Sequence, residues 1–249
     1  MSDLFVRYLL RQGDRALVLS QQLSAWVTHV HDLEEEMAVA NISLDLIGQA
    51  RTLYAYAGET EGSGRTEDDL AYWRPAEDFQ NPLLVEQPNG DFAMTMVRQF
   101  LHDSWAALYW QAMTESVDDT LAALAGKAAK ETAYHLRHAK SWVIRMGDGT
   151  EESHQRAQTA LDHLWGYTDA LFDSDDAEIA VVAKNIGIDP TNFRPAWLTG
   201  VAAVFAEATL HQPVAAQRRG GRDGLHQPGF DQLIEEMQSV ARAHPGAQW

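Results

Sequence analysis

The stretch "LAALAGKAAKETAYHLRHAKSWVIRM", residues 121–146, decides the fold class. Leu121, Ala125, Ala128, Thr132, His135, Ala139, Trp142 and Met146 recur at alternating spacings of three and four. That period lays them along one stripe of a long α-helix. The same period runs upstream through Phe92, Met96, Gln99, Asp103, Ala106, Trp110 and Met113, then through Ile42, Leu46, Gln49, Leu53 and Tyr56. Nearest the N-terminus it runs through Phe5, Leu9, Ala16, Leu19, Leu23 and Trp26. The expected helices are therefore 4–27, 33–57, 91–115 and 118–146.

The breaks between them fit one topology. "HVHDLE" (29–34) and "ESVDDT" (115–120) are short joints, while residues 59–90 form a long connector carrying "EGSGRTEDD" and "RPAEDFQNPLLVEQPNG". Two hairpins joined by one long crossover make a ferritin-like four-helix bundle. "MGDGTEES" ends the fourth helix and caps the next. Further helices are expected at about 153–172, 191–212 and 230–243, with a Gly/Arg loop, "QRRGGRDGLHQPG", before the last. Strand signals are nearly absent. No composition shift marks a boundary, so residues 1–249 read as a single all-α domain: a core bundle over about 3–147 with C-terminal helices over about 151–243.

Composition narrows the function classes. There is no cysteine, which excludes disulfides, thiolate metal sites and Cys nucleophiles. A formal charge of −17 opposes nucleic-acid binding, which needs a basic footprint. No apolar run is long enough to span a bilayer. "MSDLFVRYLLRQGD" lacks the pattern of an export signal, so the cytoplasm is the expected compartment.

The candidate chemistry is metal binding. A ferritin-like di-iron centre takes a Glu from each of two helices and a Glu-x-x-His from each of the other two. Several carboxylates are needed to bridge and neutralise two irons, and imidazoles complete the shell. The inward positions here are Leu46, Gln49, Asp103, Thr132 and His135, which supply one carboxylate and one imidazole where six ligands are wanted. Glu131 lies one residue off the stripe, on a flank with His138. No metal is expected in this chain, and Asp103, His135 and Gln49 are expected to form a hydrogen-bonded polar cluster. Three weaker patterns remain. His29, His31 and Glu34 sit on a helix joint, and Glu151-x-x-His154 opens a helix without a partner motif. Arg218, Arg219 and Arg222 stand among glycines, where phosphate could be met. No catalytic residue is assigned.

"NISLDLIGQARTLYAYAGE", "NPLLVEQPNGDFA", "KETAYHLRHAKSW", "GGRDGLH" and "PGAQW" resemble the small structural subunits of bacterial phenylacetyl-CoA 1,2-epoxidases. That family works in aerobic phenylacetate degradation, within a multicomponent di-iron monooxygenase that epoxidises the ring of phenylacetyl-CoA. The resemblance implies no cofactor in this subunit and a di-iron centre in a homologous catalytic partner. NADPH, FAD and an iron–sulfur cluster would belong to a separate reductase. It implies a heterodimer within a higher assembly, a further small subunit, and no nucleic-acid or membrane partner. Leu46, Gln49, Asp103, Thr132 and His135 are then vestigial site positions. Substrate contacts carry over onto Asp78, Phe79, Gln80 and Asn81 and onto Ile179, Ala180 and Val181, with Pro82 altering the local turn. Two other readings compete: an oxygenase in its own right, with di-iron or mononuclear metal around Asp103 and His135, and a free-standing helical protein binding an anion through the Gly/Arg loop.

Overall fold

A computed structural model describes residues 2–30 and 32–247. Among them no strand occurs, and nine α-helices carry the fold: α1 Ser2–Trp26, α2 Leu33–Glu61, α3 Glu67–Tyr72, α4 Phe92–Met113, α5 Asp119–Gly147, α6 Glu151–Leu164, α7 Asp176–Val182, α8 Arg194–Glu207 and α9 Phe230–Ala243. The architecture is all-α, with the two hairpins and long crossover that a ferritin-like chain requires. No helix among the described residues is long and apolar enough to cross a membrane.

The chain divides into two compact units, residues 1–86 with 220–249 and residues 87–219. In the first, α1 and α2 pair along their length. A serine cluster fixes their approach: Ser20 and Ser43 lie 2.9 Å apart through their hydroxyls, and each also donates to the other's carbonyl. Helix α2 stops at Gly62, whose φ of 71° is the left-handed conformation that ends helices and suits glycine. The crossover, expected as a plain connector, holds the short helix α3. Thr66 and Asp69 close a capping box at its start. Helix α9 returns to this segment, where Gln238 donates to the carbonyls of Ala71 and Arg74.

In the second unit α4 and α5 form the other hairpin, their N-termini capped by Asp91 and Asp118. Its joint is tied to the segment after α7: Val117 N–H donates to Asn185 O, and Ser116 Oγ donates to Ile186 O. An aromatic cluster fills the core beside α4, with Trp165 stacked on Trp197 at 5.5 Å and Phe205 edge-on to both Phe100 and Trp165. Two expected helices are shorter than their period suggests. The helix expected over 153–172 ends at Leu164 and continues as 3-10 turns. Just beyond that end, the Gly166 carbonyl accepts from Arg218 N at 2.8 Å, so the chain there is tied to a loop rather than to a further helical turn. The helix expected over 191–212 runs only Arg194–Glu207, with Pro195 in its first turn and Thr209 left-handed at φ 56° beyond its end. Helix α7 has no counterpart among the expected elements; at seven residues it is too short to show a period.

One titration in this unit bears on stability. His163 donates from Nε2 to Gln87 Oε1 at 3.0 Å, and burial, assisted by the Arg218 charge, holds its imidazole below the ordinary 6.5. The unfolded chain therefore takes up a proton before the folded one does. The stability that neutral His163 contributes is present above 6.5 and is lost as pH falls toward the folded value. His163→Gln is expected to flatten the fall of the thermal midpoint between pH 7 and pH 5. An equal fall in both proteins would contradict this.

Candidate functional site

The five metal-site positions are all buried, as a shared inward stripe demands. Leu46 and Gln49 belong to the first unit, and Asp103, Thr132 and His135 to the second. The Asp103 carboxylate is engaged on its own helix: Gln99 Nε2 donates to Oδ2 and His102 Nδ1 to Oδ1, each at 2.8 Å. Neither donor belongs to the cluster expected from the sequence: Gln99 is the stripe neighbour one turn before Asp103 on the same helix, and His102 is adjacent in the chain. Glu131 pairs with Lys127 at 3.3 Å and His138 stacks near Tyr134, both on the half-buried flank. Among the described residues no group of three or more His, Asp or Glu side chains converges as a cation site would require. With a single carboxylate, already holding two protein donors, these positions do not fit a di-iron centre.

A different buried cluster organises the segment 78–81. Asp14 on α1 is fully buried and forms an ion pair with the guanidinium of Arg74. It also accepts from Tyr54 Oη at 2.6 Å and from the backbone N–H of Gln80 at 2.9 Å. Burial alone would push the Arg74 guanidinium down, but the Asp14 carboxylate, with Tyr54 and Asp78, holds it above its ordinary value. Burial, then the Asp14 charge, pushes the Tyr54 hydroxyl well up, so it stays a donor. Arg74 lies 4.2 Å over the Phe79 ring and reaches the Asp78 carbonyl. One buried cation thus fixes the backbone of Asp78, Phe79 and Gln80.

These residues divide by exposure. Asp78 is exposed and Gln80 half-buried, and both line an open cavity of about 220 Å³ together with Arg7 and Arg65. Gln80 Oε1 accepts from Arg11 Nε at 3.0 Å. Phe79 and Asn81 are fully buried. Asn81 donates to Glu86 Oε1, and that carboxylate also receives His226 Nδ1 at 2.6 Å and Gln227 N at 2.9 Å. The second candidate segment lies on α7. Ile179 projects to solvent, Ala180 is partly covered and Val181 is buried, so this is not the wholly buried helical turn that a packing role alone would give.

Several members of the weaker patterns already hold structural contacts. His154 donates from Nδ1 to Gly147 O at 2.7 Å, closing the C-terminus of α5. His29 stacks on Trp26, Glu34 sits in the exposed first turn of α2, and His31 lies outside the described residues. Of the loop arginines, Arg218 donates to Tyr167 Oη at 2.8 Å and Arg219 pairs with Asp173. Anion binding at Arg218 and Arg219 would compete with these contacts.

The sequence profile of the family described as "Phenylacetic acid catabolic protein" matches residues 2–249. The chain is 46% identical, over 243 residues, to the C component of the 1,2-phenylacetyl-CoA epoxidase of Escherichia coli (strain K12). That alignment covers 97% of this chain and 98% of the relative.

Proposed function

The chain belongs to the phenylacetic acid catabolic protein family, and we propose that it is a structural, non-catalytic component of a phenylacetyl-CoA epoxidase. Identity of 46% along nearly the whole of both chains supports membership of the epoxidase assembly. The observation that carries the non-catalytic role is Asp103: one carboxylate, engaged by Gln99 and His102, at a position where a di-iron centre needs several free ones. On this reading the iron resides in a homologous partner protein, and reducing equivalents reach it from NADPH through a separate flavin and iron–sulfur reductase. This chain contributes a rigid wall. Asp78 and Gln80, braced by the Asp14–Arg74 pair, are its points of contact with the CoA thioester, and Ile179–Val181 is a second edge. Phe79 and Asn81 act from beneath as packing and anchoring groups.

The test is metal analysis resolved by component. The partner and this chain are each expressed separately in iron-rich medium, purified natively without chelator, and analysed for iron per chain. Iron is expected to co-purify with the partner, and this chain expressed alone in iron-rich medium is expected to hold well under one iron per chain. One or two irons per isolated chain would make it the oxygenase itself.

A further inference from the structure

Helix α2 is apolar on two faces. Its inner stripe, Ile42, Leu46 and Leu53, is buried. On the outer side Leu33, Met37, Leu44 and Ile47 are 67%, 58%, 64% and 36% exposed, with Ala40 between them only partly covered. Spacings of 4, 3, 4 and 3 align these five residues into one ridge, about 21 Å long at 1.5 Å per residue. Surface helices ordinarily pair one apolar stripe with a polar face, and a helix apolar on both sides belongs to a buried setting. Four large apolar side chains on a single ridge differ from scattered exposed leucines, which need no account.

Charge indicates what covers the ridge. At 100° per residue, Glu36 borders one edge while Glu34 and Asp45 border the other. The whole of α2 carries six acidic residues against one basic one, Arg51, which is paired with Glu67 at 3.1 Å. A second copy of this chain would bring an equally acidic edge and a further −17 charge to the contact, a like-charge juxtaposition that disfavours self-association. The complementary surface is an apolar helical face rimmed by Lys and Arg.

We propose that the outer ridge of α2, Leu33–Met37–Ala40–Leu44–Ile47, is the docking surface for the iron-bearing partner, which meets it with an apolar helix face rimmed by basic residues. The proposal rests on the structural-component reading above. Met37 and Leu44 flank Ala40 at the middle of the ridge and are its two main anchors, Leu44 being the more exposed.

The test uses the full chain co-purified with the iron-bearing partner. Leu44→Glu/Ile47→Glu is expected to weaken the complex about a hundredfold, as charge placed in a dry interface core should. The helical circular dichroism of the isolated chain should be unchanged, and Leu44→Glu alone, at the 64% exposed position, should weaken the complex in the same direction. Val214→Glu, at an exposed position on another segment, should bind like wild type. The absence of native cysteine allows a second measurement: a photo-cross-linker on Leu44→Cys should capture the iron-bearing partner, and one on Val214→Cys should not. Normal co-elution of the double variant, or capture of a second copy of this chain from Leu44→Cys, would overturn the surface. Failure of wild type itself to pair with the iron-bearing partner would instead overturn the structural-component reading, and this surface with it.

Discussion

Asp14→Ala is expected to lower the unfolding free energy by about 3–5 kcal/mol, the cost of leaving a buried cation without its counter-ion. Arg74 has no water to turn to: it is almost wholly buried, and its remaining partners are carbonyls, a tyrosine hydroxyl and an aromatic face. Asp14 also receives Tyr54 Oη and Gln80 N–H, so three donors lose their acceptor at once. Against a typical stability of about 5–15 kcal/mol, that is a large fraction of the total. Urea titration would measure it. The double variant Asp14→Ala/Arg74→Met should recover a large part of the loss, because it removes the stranded charge and keeps the packing. A single-variant loss under about 1 kcal/mol would mean that the pair is far less desolvated than its burial indicates.

The second large effect is steric. A Cβ built on Gly221 would stand 2.1 Å from the carbonyl oxygen of Asn81 and 3.2 Å from Leu83. The nearer obstacle is backbone, so no rotamer change relieves it. Gly221→Ala is expected to cost about 1–3 kcal/mol through this overpacking. It should also disturb the Glu86 carboxylate, whose donors come from Asn81, His226 and Gln227 on the two segments being forced apart. Gly200→Ala is the matched control: its added Cβ meets nothing, and alanine in the interior of α8 should stabilise by about 0.5–1 kcal/mol. The two substitutions should therefore move the denaturation midpoint in opposite directions. Movement in the same direction would show that Gly221 approaches Asn81 less closely than this geometry requires.

Periodicity carried the long elements of this protein well. Helix α9 coincides with its expected limits, and α4 and α5 fall within two residues of theirs. Their stripes run for many turns, and acidic caps mark their starts. The short α7 left no such trace, and the segment just past α6 is tied through Gly166 to a loop some fifty residues later, which no local period encodes. The burial of Leu46, Gln49, Asp103, Thr132 and His135 was legible for the same reason as the helices, since it follows from the stripe alone. Asp14 was not. It stands beside Ala16 and Leu19 like any polar neighbour, and its partner is sixty residues distant. No local spacing encodes that pairing. The outer ridge of α2 escaped as well, because the inner stripe already accounted for the period and the second apolar face overlays it with the same spacing.

The first unit draws on both ends of the chain, residues 1–86 and 220–249, whereas the second is one uninterrupted segment. During synthesis, α1 and α2 emerge from the ribosome first, yet Phe79 meets Phe230 and Glu86 meets His226 only after all of residues 87–219 have been made. The uninterrupted unit can close as soon as it emerges. Until residues 220–243 are available, Glu86 lacks its His226 and Gln227 donors and Phe79 lacks Phe230. A chain lacking residues 220–243 would miss Phe230 against Phe79 and His226 on the Glu86 carboxylate, whereas the Asp14–Arg74 pair that fixes the backbone of Asp78 and Gln80 is drawn wholly from residues 1–86.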